Sequence, residues 1–261
     1  MVIKNEELLR QYAPAAFAKE PENGRVSDRY SFLPTTDILN ILGDCGWSPW
    51  KASQVNARKW SKGHAKHIIR LRHEELTPQA FGVGDSFPEM LLINSHNGLG
   101  CYELRGGIFR MVCSNGMVIS EAEFDAIKIR HIGFEEQQVV DASKEFVNGA
   151  GRWAEQVLTW QNTELDKPTR RKFFTDAAHV RFEAPDDLII RDISTPHRTE
   201  DQGTDLWTLF NVAQENVIRG GFVNTSTGRK ARPIKNIQKD INYNSQLWSI
   251  ADKYSREVSL N

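Results

Sequence analysis

LLINSHNGLGCYELRGGIFRMVCSNGMVISE, residues 91–121, decides the architecture. Three two-residue turn signals punctuate it: Asn97-Gly98, Gly106-Gly107 and Asn115-Gly116. Asparagine and glycine tolerate the positive φ that a tight hairpin turn requires. Between the turns lie LLINS, LGCYEL, IFRMVCS and MVISE, rich in the β-branched, aromatic and aliphatic residues that suit a pleated surface. KHIIRLRH (66–73) before them and AIKIRHI (126–132) after them have the same character. The expectation is an antiparallel meander of about six strands across 64–132. A turn at Gly106-Gly107 also implies a register, with Arg105 opposite Ile108, Leu104 opposite Phe109, Glu103 opposite Arg110 and Tyr102 opposite Met111. Tyr102, Leu104, Phe109 and Met111 would then share a core face, and Glu103, Arg105 and Arg110 a wet or ligand-binding one. In the first of these strands, Lys66, Arg70 and Arg72 fall on one face, and His67, Ile69, Leu71 and His73 on the other.

Outside the meander the chain reads as helix and arm. Pro14, Pro21, Gly24 and Pro34 make 14–34 an irregular arm behind a short first helix. Thr36 can N-cap a helix carrying Ile38, Leu39, Ile41 and Leu42, which stops at Gly43–Gly46. After residue 135, apolar residues recur at three- and four-residue spacing. One series runs from Val139 to Leu158, and a second holds Phe173, Phe174, Ala177 and Ala178. A third opens near Thr204 and stops at Gly220-Gly221, and a fourth uses Ile237, Ile241, Trp248, Ala251 and Tyr254. The acidic stretch 183–205 between them reads as loop. The fold class is therefore α+β, an antiparallel meander packed with C-terminal helices. It is expected as a single domain over 1–261: arm and helix (1–50), sheet (64–132) and helical part (135–258). Trp153, Trp160, Trp207 and Trp248 all lie in helices, where core anchoring outweighs base stacking.

The 261 residues are 39% hydrophobic and 26% charged, enough apolar surface to build a core. No stretch approaches the roughly 18 consecutive apolar residues a membrane span needs. MVIKNEELLRQY lacks the apolar segment of a secretory signal. Cys45, Cys101 and Cys113 are an odd number without metal-type pairing, which fits a reducing compartment. The expected location is cytoplasmic, with no membrane partner. Net charge is −1, so the total does not point to nucleic acid, but the distribution is segregated. Lys51–His73 holds seven Lys/Arg and no carboxylate, and Thr225–Lys239 holds five, again without an acid. Two solvated loops would satisfy the same pattern.

Six strings carry a resemblance: SDRYSFLPTTDIL, GHAKHIIRLRH, LLINSHNG, GIFRMVCSNGMVI, LWTLFNVAQENVIRGG and INYNSQLW. In this order, from about Asp28 to about Ala251, they resemble the phage/plasmid-like proteins of domain of unknown function 932. Such proteins are similar to ones encoded on prophage islands and conjugative plasmids, near antirestriction and DNA-repair-like genes. The resemblance implies DNA metabolism or conflict with host defences. In layout, a meander followed by helices also looks like single-strand annealing proteins, in which sheet and helix line a basic groove.

The functional expectation is a non-catalytic protein of a phage or plasmid that binds single-stranded DNA and anneals or recombines strands. Lys66, Arg70, Arg72, Arg105, Arg110, Lys128 and Arg130 would track phosphates along the sheet. Arg229, Lys230 and Arg232 would assist from the second basic run, and Arg219 from the helix before it. Asn94 and His96 extend a strand and could read phosphates or base edges through neutral hydrogen bonds. Gln214, Glu215 and Asn216 are expected opposite the apolar stripe of their helix, where Gly220-Gly221 suits either a helix stop or a phosphate contact. No Walker-type loop, nucleophile elbow or Rossmann fingerprint is present, so neither cofactor nor catalytic residue is assigned. Two rivals stand. A metal-dependent nuclease-like enzyme would use His64, His67 and the acids Asp186, Asp187 and Asp192. An interaction protein would counter a host repair or defence complex. Partners open to these readings are single-stranded DNA, a second copy of the chain, and such a host protein.

Overall fold

The computed structural model describes residues 5–22, 32–55, 62–77, 86–96, 102–110, 117–118, 127–129, 134–224 and 228–259. In chain order they form α1 (Glu6–Tyr12), a 3-10 turn (Pro14–Phe17), α2 (Thr35–Asp44), β1 (Trp47–Gln54), β2 (His67–His73), β3 (Ser86–Asn94) and β4 (Tyr102–Arg110). Then come β5 (Met117–Val118), β6 (Ile127–Ile129), α3 (Glu136–Gln161), α4 (Lys167–His179), α5 (Asp187–Ile193), α6 (Leu206–Arg219), β7 (Val223–Asn224), β8 (Arg229–Lys230) and α7 (Ile237–Ser259). The fold is α+β with an antiparallel sheet and C-terminal helices, as the sequence implies. The chain divides into two compact units, 1–111 with 123–151 and 112–122 with 152–261. The cut falls inside α3, so the sheet unit keeps that helix's first half.

In the sheet unit, β1, β2, β3 and β4 are antiparallel neighbours in sequence order, and β6 pairs with β4. Two of the expected strands are one. LGCYEL and IFRMVCS were to be separated by a turn, yet β4 runs straight through Gly106 and Gly107, and neither has a positive φ. The pair Glu103–Arg110 therefore does not form: Glu103 lies opposite Ile93 and Lys128, and Arg110 opposite Ser86. Straight passage also moves position 109 out of the set of Tyr102 and Leu104, where buried Ile108 takes its place. Two glycines permit extension as readily as a turn, and in a strand they leave space beside a partner that needs it. Here Gly107 lies opposite Glu89 and Gly106 opposite Met90, both fully or nearly buried. The Asn97-Gly98 turn lies outside the described residues, within the link between antiparallel β3 and β4; Asn115-Gly116 also lies outside them.

β1 escaped the sequence reading because WSPWKASQ carries Pro49. On a strand with a partner on one side only, proline removes no ladder bond that the sheet needs. β1 opens the strand order, with β2 as its neighbour. The core face holds Trp47, Ala52, His67, Ile69, Leu71, Met90, Leu92, Asn94, Tyr102, Leu104 and Ile108, all buried. α2 packs on β1 and contributes Ile38, Leu39 and Leu42 to that core. It starts at Thr35 with Pro34 as N-cap, so Thr36 does not cap it. Trp47 Nε1 donates to Ser143 Oγ at 2.8 Å and its ring meets Phe146 at 5.0 Å, which anchors the first half of α3.

In the helical unit, Trp160, Trp207, Phe210 and Trp248 form one aromatic cluster with ring separations from 4.3 to 6.3 Å. All four are 6% exposed or less, which fits anchoring rather than stacking on a ligand. The stretch 183–205 is not a plain loop. Asp186 accepts from Ile189 N at 2.8 Å and caps α5. No helix among the described residues is long and apolar enough to cross a membrane.

Candidate nucleic-acid interface

The second face of the sheet carries Lys51, Arg70, Arg72, Glu89, Glu103 and Arg105, beside buried Leu91 and Ile93, as strand register and alternation place them. Glu89 is fully buried and takes Arg70 Nε at 2.5 Å and Arg72 Nε at 2.7 Å. Arg105 holds Glu103 at 2.9 Å. A carboxylate gripped by two guanidinium groups is a compensated buried charge. These arginines finish the sheet before they meet any ligand. Lys66 is half-buried. The side chains of Arg110 and Lys128, and Arg130 altogether, lie outside the described residues.

Asn94 and His96, expected to face a ligand, are 1% and 0% exposed. They belong to a core network around Thr35, supplied by α2 and the sheet. His67 Nδ1 faces the Ala65 carbonyl at 3.0 Å, so that nitrogen carries the proton and Nε2 accepts from Thr35 Oγ1, 3.0 Å away. Thr35 in turn accepts from Asn94 Nδ2 at 3.1 Å and from His96 Nε2 at 3.0 Å. One donor and two acceptors exhaust a hydroxyl. Tyr102 closes the network by donating its hydroxyl to the Leu33 carbonyl. Burial pushes the His67 pKa down to about 4, against a weaker pull from the Ala65 carbonyl. Its neutral tautomer is thus a structural part at neutral pH.

The polar run of α6 is likewise turned inward rather than to solvent. Gln214, Glu215 and Asn216 are 3%, 7% and 2% exposed. Gln214 Nε2 donates to Asn244 Oδ1 on α7 at 2.9 Å. Asn216 Nδ2 donates to the carbonyls of Ile193 and Thr195, both at 2.9 Å, and its Oδ1 faces His197 Nε2 at 2.7 Å. Amides were needed because the end of α5 presents backbone groups there, and buried backbone must be paired.

Beyond this helix lies the second basic region. Gly220 ends α6 at φ +63°, and a Cβ there would come within 2.7 Å of the Ala231 carbonyl oxygen. Gly221 N donates to that oxygen at 2.9 Å, while Gly220 N is taken by Asn216 O. Both amides are used, so Gly220-Gly221 is a helix stop and a close approach rather than a phosphate nest. Arg181 donates to the carbonyls of Val217 and Arg232 and pins the β7–β8 hairpin to the helix end. What remains outward is cationic: Arg219, Arg229, Lys230 and Arg232 are exposed, and Arg219 reaches Glu215 only at 3.4 Å. With Gly220, Gly221, Ala231 and Pro233 they line an open groove of about 990 Å³. Arg219, expected on a helix face with Gln214, Glu215 and Asn216, thus stands beside Arg229, Lys230 and Arg232 of the second basic run.

The acids of the nuclease reading are occupied singly. Asp186 caps α5, Asp187 meets Arg171 at 2.7 Å, and Asp192 meets Arg191 at 3.4 Å. Among the described residues, no three His, Cys, Asp or Glu side chains converge as a metal site would require.

The family model described as a domain of unknown function, DUF932, matches residues 23–248. This chain belongs to the DUF932 family. It is 33% identical over 256 residues to two Escherichia coli K12 relatives, UPF0380 protein YafZ and UPF0380 protein YfjQ. Each alignment covers 96% of this chain and 90% of the relative. No solved structure matches it. The strings that disclosed the DUF932 resemblance now have a place. LLINSHNG supplies Asn94 and His96 to the Thr35 network, and LWTLFNVAQENVIRGG and INYNSQLW meet through Gln214 and Asn244.

Proposed function

We propose that this DUF932 protein binds single-stranded DNA by its phosphate backbone, through the cationic groove formed by the end of α6 and the β7–β8 hairpin. The observation that carries the reading is the exposed set Arg219, Arg229, Lys230 and Arg232 around that groove, in a stretch, 219–239, without a single Asp or Glu. Such an array releases counterions from a polyanion and needs no base contact to gain affinity. The patch spans one short hairpin and a helix end. A flexible strand can bend to it, whereas a duplex, stiff over roughly 50 nm, would reach fewer of its cations at once. A grip on backbone leaves bases exposed for pairing, which is what strand annealing or recombination requires.

Fluorescence anisotropy of labelled single- and double-stranded oligonucleotides across a salt series, with and without Mg²⁺, tests the reading. The expected result is tighter binding of the single strand, with log affinity falling linearly against log salt. Shortening of the oligonucleotide in Mg²⁺ would favour the nuclease-like alternative. Salt-insensitive or absent binding, with stable capture of a host protein, would favour the interaction alternative.

A further inference from the structure

Trp50 stands apart from the other described tryptophans. It is 49% exposed, while Trp47, Trp153, Trp160, Trp207 and Trp248 are 6% or less. The backbone puts it there. The β1–β2 register shifts between Pro49 and Lys51, so Trp50 is the extra residue of a β-bulge. Trp47 and Pro49 point to the core, the bulge then spends one residue, and Ala52 returns to the core. Trp50 and Lys51 are thereby exposed in succession, which simple alternation would forbid. A large ring left in water forgoes the burial that its apolar surface could gain.

The ring is also held in place. The Arg72 guanidinium carbon lies 3.7 Å from its centroid, so a planar cation covers one face. Arg72 is itself fixed from beneath by buried Glu89, which Arg70 grips as well. Arg72 thus joins the ring to a buried carboxylate, while about half of the Trp50 surface stays open to solvent.

We infer that Trp50 is a stacking platform for an unpaired nucleobase, with Arg72 holding the indole from behind. Lys51, Arg70 and Arg72 against the single carboxylate of Glu89 leave the surroundings of the ring net positive, which favours an anionic polymer over a neutral ring such as a sugar. The inference rests on the single-strand reading above and assigns the base, rather than the phosphate, to the sheet unit.

An oligo-dT and an abasic strand of equal length separate base from backbone. Trp50→Ala should weaken oligo-dT binding by about tenfold, leave abasic binding unchanged, and keep the salt slope of the unmutated chain. Trp50→Phe should recover most of the loss. In the unmutated chain, ultraviolet crosslinking of an iodouracil-substituted strand should map to the peptide holding Trp50. The stacking site is overturned if the unmutated chain binds both strands with salt dependence and Trp50→Ala binds each as tightly, or loses equally on both. The parent reading fails, and the stacking site with it, if the unmutated chain binds neither strand.

Discussion

Arg70 and Arg72 on the sheet and Arg229, Lys230 and Arg232 on the hairpin come from sequence runs that look alike, each basic and devoid of carboxylates. The fold separates them. Glu89 arrives from the next strand, is fully buried, and binds both sheet arginines within 2.7 Å. The hairpin cations remain exposed, and Arg219 beside them meets Glu215 only at 3.4 Å. A run of charge in sequence thus says little about charge offered to a ligand. Strand register supplies partners from 17 to 19 residues away, and no local window contains them.

The largest expected effect lies in the sheet. Glu89→Gln strips a buried carboxylate from two guanidinium groups and should cost on the order of 3 kcal/mol, read as a lower denaturation midpoint. Glu103→Gln, in a pair with one partner and about one-fifth exposed, should cost less, about 1 kcal/mol. Equal costs would show that Glu89 is no brace.

The second effect belongs to the core beneath that face. His67 has a folded pKa near 4 against an unfolded value near 6.5. The unfolded chain therefore binds the extra proton between these values, and stability falls as pH drops through that window. Between pH 7 and pH 5 the loss should be roughly 2 kcal/mol. His67→Gln, although less stable at pH 7, should show a shallower fall. An unchanged slope in the variant would remove His67 as its cause.

The smallest effect on stability is expected at the hairpin. The triple variant Arg229→Ala, Lys230→Ala, Arg232→Ala changes exposed side chains and should move unfolding free energy by no more than about 0.5 kcal/mol. A larger loss would make these cations structural, as the sheet arginines are.

The contrast also explains what could be read beforehand. Periodicity revealed the long helices and most strands, because burial of one face imposes it. It misplaced Gly106-Gly107, since glycine permits a turn without demanding one, and the deciding partner, Glu89, lies on another strand. It missed β1 because Pro49 and the bulge at Trp50 break alternation. For the same reason it missed Trp50. Asn94, His96, Gln214 and Asn216 were conspicuous as polar residues, yet polarity alone cannot distinguish a ligand contact from a buried network. The exposed basic hairpin was legible because its whole cluster is local in sequence.

The most direct test is the salt dependence of DNA binding by folded variants. On single strands each lost phosphate contact should reduce the slope of log affinity against log salt by about 0.7. The hairpin triple variant should therefore lower the slope by about 2 and weaken binding alike for unrelated sequences, while Arg105→Ala, already paired to Glu103, leaves the slope unchanged. A hairpin variant with the full slope, beside an Arg105→Ala variant with a reduced one, would place the phosphate contacts on the sheet and contradict the assignment to the groove.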